Sequence, residues 1–118
     1  HSRDRILHAG GDATGEQIEM TLSRLAQMSR ITVLENILVT DVIIERGRAT
    51  GVQTLDTRTD LAANYEGKFI LLTTGGAGRI FRYTTNSPVA TGDGIALAYR
   101  ANAEIRDMEF YQFLHQQH

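Results

Sequence analysis

Between Ile37 and Tyr65 the chain is β-forming almost throughout, and the run is interrupted only where a turn is needed. Ile37 to Arg46 is nearly continuous in β-favouring residues, and Arg46-Gly47-Arg48 supplies a tight reversal. Ala49 to Thr57 reads as the return strand, with Val52 and Leu55 as its apolar positions. Asp56 to Asp60 is a second, polar turn, and Leu61 to Tyr65 a weaker third strand. These lengths and turns predict an antiparallel three-stranded meander hung on a larger sheet.

The flanking segments alternate in type. Ile18, Leu22, Leu25 and Met28 recur at helical spacing, which predicts a helix from Gly15 to about Ser29 with one buried face. Thr14 and Gln17, three residues apart at its start, fit a capping box. Ile31 to Leu34 reads as a short strand. After the turn at Glu66-Gly67, the apolar run Lys68 to Thr73 suits a buried parallel strand. Thr91-Gly92-Asp93-Gly94 leads into a helix from Ile95 to Asn102, the whole element falling near 93–102, and Glu104 to Phe113 reads as extended. Helix, strand, meander, strand, helix is an α/β order with an antiparallel insertion.

Composition removes several function classes. The 118 residues carry a net charge of −2, so there is no electrostatic reason to expect nucleic acid or an anionic membrane as partner. The absence of cysteine excludes disulfides, thiolate metal sites and thiol catalysis, and fits a cytoplasmic protein. No apolar run approaches the roughly 20 residues of a membrane-spanning helix. The four histidines have no metal-ligand spacing, and no Ser-His-Asp arrangement is suggested. The first residues do not open a signal peptide, and both ends read as cuts within a longer chain.

Three segments carry candidate chemistry. Phe69 to Gly78 is an apolar run ending in Thr73-Thr74-Gly75-Gly76-Ala77-Gly78, where missing Cβ atoms let a ligand approach the backbone. The same pattern is also that of an ordinary glycine-rich turn. Asp93, at a helix start, can cap the helix or accept hydrogen bonds from a sugar or ribityl hydroxyl, while the neighbouring amides attract an anion. Gln112 and His115, among the aromatics Phe110, Tyr111 and Phe113, can hold a carboxylate substrate or stand as satisfied edge residues.

Taken in order, these segments resemble the flavoprotein superfamily of succinate dehydrogenases, fumarate reductases and L-aspartate oxidases. Thr73 to Arg79 resembles its Ala-Thr-Gly-Gly-Ala-Gly signature. Tyr83-Thr84-Thr85-Asn86-Ser87-Pro88 and Thr91 to Ala96 match it again, and Asp107 to Phe113 leads to the place of its Gln-Phe-His-Pro-Thr. His8-Ala9-Gly10-Gly11-Asp12-Ala13-Thr14 and Tyr83 to Asn86 look more like the L-aspartate oxidase group than the dehydrogenases. Two positions depart from the pattern. Leu114 separates Phe113 from His115, and Asn102 stands where glycine is common.

The resemblance implies a Rossmann-like FAD-binding domain, of which residues 1–118 are a part. The N-terminal dinucleotide-binding βαβ unit, with its Gly-x-Gly-x-x-Gly, and most of the capping domain are absent from this sequence. It implies oxidation of L-aspartate to iminoaspartate, the entry to NAD biosynthesis, by hydride transfer to FAD with oxygen or fumarate as acceptor. Carried over by position, Val39 and Thr40 meet the adenine end of FAD through backbone. Thr74, Gly75 and Gly76 approach the flavin, Gly92 and Asp93 contact the cofactor, and Gln112 and His115 lie near the dicarboxylate. No catalytic residue falls within the chain, because the family's proton-transferring arginine lies further on. The chain alone is therefore expected to be inactive and to hold no FAD. The apolar strand at Phe69–Thr73, deprived of neighbours, is expected to recruit a second copy. Two alternatives stand beside this reading: the flavoprotein subunit of a succinate dehydrogenase or fumarate reductase, and a binding module without redox chemistry.

Overall fold

The computed structural model describes residues 13–112, which divide into two compact units between Glu35 and Asn36. In the first, α1 spans Thr14–Met28. Ile18, Leu22 and Leu25 recur along the helix as the spacing predicts, yet no α1 residue is buried. The capping box does not form. Ala13 occupies the cap position with no side-chain bond, and the Gln17 N–H donates to the Ala13 carbonyl at 3.0 Å. Thr14 is already the first helical residue, one place too late to act as cap. At the other end Ser29 closes the helix, its N–H and hydroxyl both donating to the Ala26 carbonyl at 3.1 and 2.6 Å. Ile31 to Leu34, expected as a strand, is irregular, with no ladder partner among the described residues.

The meander organises the second unit. β1 (Ile37–Glu45), β2 (Arg48–Asp56) and β3 (Ala62–Glu66) form an antiparallel sheet in the order β1-β2-β3. The first reversal is a two-residue turn with Arg46 at φ 50° and Gly47 at φ 76°. Positive φ at both central positions is the turn whose twist matches paired strands, and glycine carries the second position without strain. Register slips twice. Thr40 bulges from β1 between Val39 and Asp41, and Thr50 is the extra residue of β2 opposite Ile43 and Ile44.

Asp56 builds the second reversal. Its carboxylate accepts the Arg58 N–H at 2.8 Å, and its carbonyl accepts the Asp60 N–H at 2.8 Å. The Thr57 N–H and hydroxyl both donate to the Asn36 carbonyl, at 2.9 and 3.0 Å, tying this turn to the start of β1.

α2 spans Asp93–Arg100, within the expected helix, and packs on β1. Buried Leu97 of α2 and Val42 of β1 are core residues of this unit, with Ala77 and Thr54. Thr54 is buried without penalty because its hydroxyl donates to the Ala63 carbonyl at 2.9 Å. The helix ends where Asn102, at φ 60°, donates its N–H to Tyr99 and Ala103 donates to the Ala98 carbonyl, at 3.0 and 2.9 Å. This closure usually uses glycine, and asparagine is the other residue that tolerates it. The Asn102 departure is thereby accounted for.

Two expectations fail here. Lys68 to Thr73 is neither a strand nor buried: the segment is irregular, and Phe69 is 90% exposed. An apolar run becomes a central strand only with neighbours on both sides, and no described strand pairs with it. Glu104 to Gln112 likewise forms no strand, and a turn at Asp107, φ 59°, returns the Phe110 N–H to the Asp107 carbonyl at 3.1 Å. Among the described residues no helix is long and apolar enough to cross a membrane.

The backbone N–H of Arg58 holds the Asp56 carboxyl below its ordinary value of 3.8; desolvation opposes this, and the Arg58 guanidinium assists. A depressed carboxyl pKa contributes stability that is present above the unfolded value and lost as pH falls through the folded one. NMR titration is expected to place the Asp56 carboxyl below 3.8, and Asp56→Asn to remove that part of the acid dependence. A carboxyl titrating at or above its ordinary value contradicts this account of the turn.

Candidate functional site

Gly92 and Gly94 bring the 73–79 loop onto the start of α2, and Gly78 brings it against Asn86. A Cβ built on Gly94 collides with the Thr74 hydroxyl, and one on Gly92 stands 3.0 Å from the Ala77 Cβ. One on Gly78 runs into the Asn86 side chain, which is itself held by its amide donating to the Thr84 hydroxyl at 2.9 Å. Backbone bonds complete the seat: the Gly92 N–H donates to the Gly76 carbonyl at 3.2 Å, and the Arg79 N–H to the Ala90 carbonyl at 2.9 Å. Ala77, Gly78 and Gly94 are buried as a result.

The same packing leaves Gly75 and Gly76 on an open face. Both are exposed, and a Cβ at either meets nothing within 4 Å. Gly75 sits at φ 71°, a conformation that other residues rarely adopt. The loop therefore presents bare backbone outward while its far side is fixed by α2. A flat ring system can lie against such a surface.

Asp93 stands beside this face as the first residue of α2. It does not cap the helix through its side chain: Gly92, left-handed at φ 82°, is the cap residue and no side-chain cap bond is made. The Asp93 carboxylate instead accepts the Thr91 hydroxyl at 2.6 Å and remains exposed. Helix geometry leaves the first-turn amides without intrahelical acceptors, and an acidic residue there complements the helix dipole. A carboxylate at that place repels a phosphate and accepts a hydroxyl, so the arrangement fits a sugar or ribityl hydroxyl better than an anion.

Val39 and Thr40 lie by the other end of the helix. Thr40 is the bulged residue of β1, and its carbonyl accepts Nη2 of Arg100 at 2.8 Å. The Arg100 Nε is 3.7 Å from the Asp41 carboxylate. At about 1.5 Å per residue, α2 separates the two groups of candidates by roughly 12 Å.

Of the candidates, Thr74, Gly75, Gly76, Gly92 and Asp93 are thus brought together, and Val39 and Thr40 are joined to them through α2. Gln112 is exposed on an irregular segment. Its neighbour Tyr111 packs against Phe81 in a tilted arrangement, ring centroids 4.6 Å apart and planes at 54°, which ties that segment to the residues following the glycine loop. His115 lies outside the described residues. A shallow surface depression lined by Thr50, Glu66, Gly67 and Lys68 includes none of the candidates. Among the described residues no cluster suits a metal ion.

Sequence reasoning missed Arg100, Thr91 and Gly94 as site residues. Arg100 joins Thr40 across a separation that no local pattern reveals. The Thr-Gly-Asp-Gly run contained the signal for the other two, since a hydroxyl two residues before an aspartate can reach its carboxylate and a glycine without Cβ admits a close neighbour.

The profile of the family described as FAD binding domain matches residues 1–117. An L-aspartate oxidase of Bacillus subtilis (strain 168) is 46% identical over 114 residues, covering 96% of this chain and 21% of the relative. One from Streptomyces coelicolor is 44% identical over 118 residues, covering 96% and 20%. The chain spans about one fifth of the length of the curated relatives it matches. Among solved structures, Mycobacterium smegmatis Sdh1 in complex with UQ1 matches with a TM-score of 0.76 at 33% identity, covering 86% of this chain and 19% of that one. A quinol-fumarate reductase with menaquinol molecules matches with a TM-score of 0.76 at 28% identity, covering 82% and 17%.

The glycine contacts predict opposite responses at neighbouring positions. Gly94→Ala must displace Thr74, and a cost of about 1–3 kcal/mol is expected, as for overpacking elsewhere. Gly76→Ala, which meets nothing, is expected to change stability by less than about 0.5 kcal/mol. Denaturant unfolding of the two variants measures this, and equal effects would contradict the packing.

Proposed function

The chain belongs to the family of FAD binding domains, and from that premise we propose that it forms part of the flavin site of an L-aspartate oxidase. The carrying observation is the bare, outward-facing backbone of Gly75 and Gly76, fixed from behind by Gly92 and Gly94 and flanked by the Asp93 carboxylate. Identities of 46% and 44% to L-aspartate oxidases, against 33% and 28% to Sdh1 and the quinol-fumarate reductase, favour this reading over a dehydrogenase or reductase subunit.

In this reading Thr74, Gly75 and Gly76 would meet the ring system through backbone, where a side chain would hold it off. Gly92 gives Asp93 its place at the helix start, and Asp93, oriented by Thr91, would accept from a sugar or ribityl hydroxyl. Val39 and Thr40 would meet the adenine end through backbone, and Gln112 and His115 would contribute to the dicarboxylate side. When bound, FAD supplies the two-electron acceptor for the hydride of the substrate Cα as L-aspartate becomes iminoaspartate, with oxygen or fumarate as final acceptor. The protein's part is to position and to exclude.

The surrounding architecture is proposed as a Rossmann-like domain of a cytoplasmic enzyme. This sequence contains no Gly-x-Gly-x-x-Gly to anchor a pyrophosphate. That anchor and most of the capping domain would come from outside residues 1–118, in line with relatives about five times longer. Phe69 and Leu71, 90% and 85% exposed, support self-association of the isolated chain. Sedimentation is expected to show mass rising with concentration, and a monodisperse monomer at high micromolar concentration would count against it.

The test of function uses the full-length protein encoded by the complete reading frame. Under anaerobic conditions L-aspartate is expected to bleach its bound flavin and succinate is not. Bleaching by succinate alone would point to the dehydrogenase, and a full-length protein holding no flavin would point to a non-catalytic module. The 118-residue chain, titrated with FAD, is expected to show no tight stoichiometric binding.

A further inference from the structure

Arg100 makes a long-range connection from α2 to β1. Sixty residues separate it from Thr40, yet its guanidinium holds the Thr40 carbonyl at 2.8 Å with one nitrogen. Another nitrogen lies 3.7 Å from the Asp41 carboxylate. Asp41 is itself fixed, since Oδ1 accepts the Val42 N–H at 2.9 Å. All of this converges on the bulge of β1 between Val39 and Asp41, the first of the two places where its pairing with β2 slips.

A bulged residue has lost the ladder bonds that would set its backbone, so something else must define its orientation. A charge-assisted bond from a planar guanidinium is stronger and more directional than a neutral one, and the fork can serve the carbonyl and the carboxylate together. The ion pair is about half exposed on both sides and contributes little to stability by itself. Its effect is local: it selects one conformation of the Val39–Thr40 backbone. The helix that carries Arg100 also begins with Asp93 and is pinned to the glycine loop. The two cofactor-facing groups are therefore held in a fixed relation through a single rigid element.

We infer that Arg100 is a positioning residue for the adenine end of the flavin cofactor, acting through the Thr40 carbonyl and the β1 bulge. This rests on the proposal that Val39 and Thr40 meet that end. Arg100 touches neither the flavin nor the substrate in this assignment, so its loss should weaken recognition of the adenosine half and leave the flavin half unaltered.

The experiment titrates full-length apoprotein with FAD and, separately, with FMN, which lacks the adenosine half. Arg100→Gln is expected to weaken FAD binding on the order of tenfold, the scale of one charge-assisted bond, with FMN affinity unchanged. Asp41→Asn, which keeps the acceptor of the Val42 N–H and removes the charge, is expected to give a smaller loss, again for FAD alone. Arg106→Gln, which breaks the exposed pair with Glu104, serves as control and is expected to change neither. Unchanged FAD affinity in Arg100→Gln overturns the inference. So does equal weakening of FAD and FMN, which marks a general loss of structure. If the wild-type apoprotein takes up no FAD, it is the underlying functional reading that fails.

Discussion

The Thr74 side chain occupies the space where a Cβ on Gly94 would stand. That contact lets the loop settle onto the first turn of α2, and the bond from the Gly92 N–H to the Gly76 carbonyl then fixes its height. With the inner side of the loop so committed, Gly75 and Gly76 are left facing outward with nothing over them. α2 reaches from this seat to the bulge of β1, where Arg100 takes hold of Thr40. A side chain at Gly94 would push the loop off the helix, and the open backbone face and the position of Asp93 relative to it would go together.

Local chemistry made the meander readable. Arg46-Gly47 can reverse the chain in the required turn, and Asp56 can fold its carboxylate back onto the Arg58 amide; both needs are met within a few residues. The α1 register was legible for the same reason, although the start was displaced by one residue because Ala13, with no side-chain bond to offer, occupies the cap. The misreading of Lys68 to Thr73 has a different origin. A strand is a relation between segments, and apolar residues at Phe69 and Leu71 state only that a partner is wanted. At the site, the close approach of glycines 92 and 94 to the loop was foreshadowed by their lack of Cβ atoms. The tie from Arg100 to Thr40 was not, because it depends on where the helix lands on the sheet.

Burial is sparse for a chain of this length. Val42, Ala77 and Leu97 are the buried apolar residues among those described, while Ile18, Leu22 and Leu25 on α1 and Phe69 and Leu71 after the meander remain largely exposed. Such faces are unusual on a self-sufficient monomer and common on segments that belong to a larger core. Relatives about five times longer carry the same stretch at 46% and 44% identity, consistent with that view.

Which surface the cofactor meets is addressed most directly by a crystal structure of the full-length protein loaded with FAD. The ring system is expected in van der Waals contact with the backbone of Gly75 and Gly76, with the Asp93 carboxylate accepting from a cofactor hydroxyl. Finding that backbone covered by protein side chains, with the flavin bound elsewhere and Asp93 turned away from it, would contradict the account.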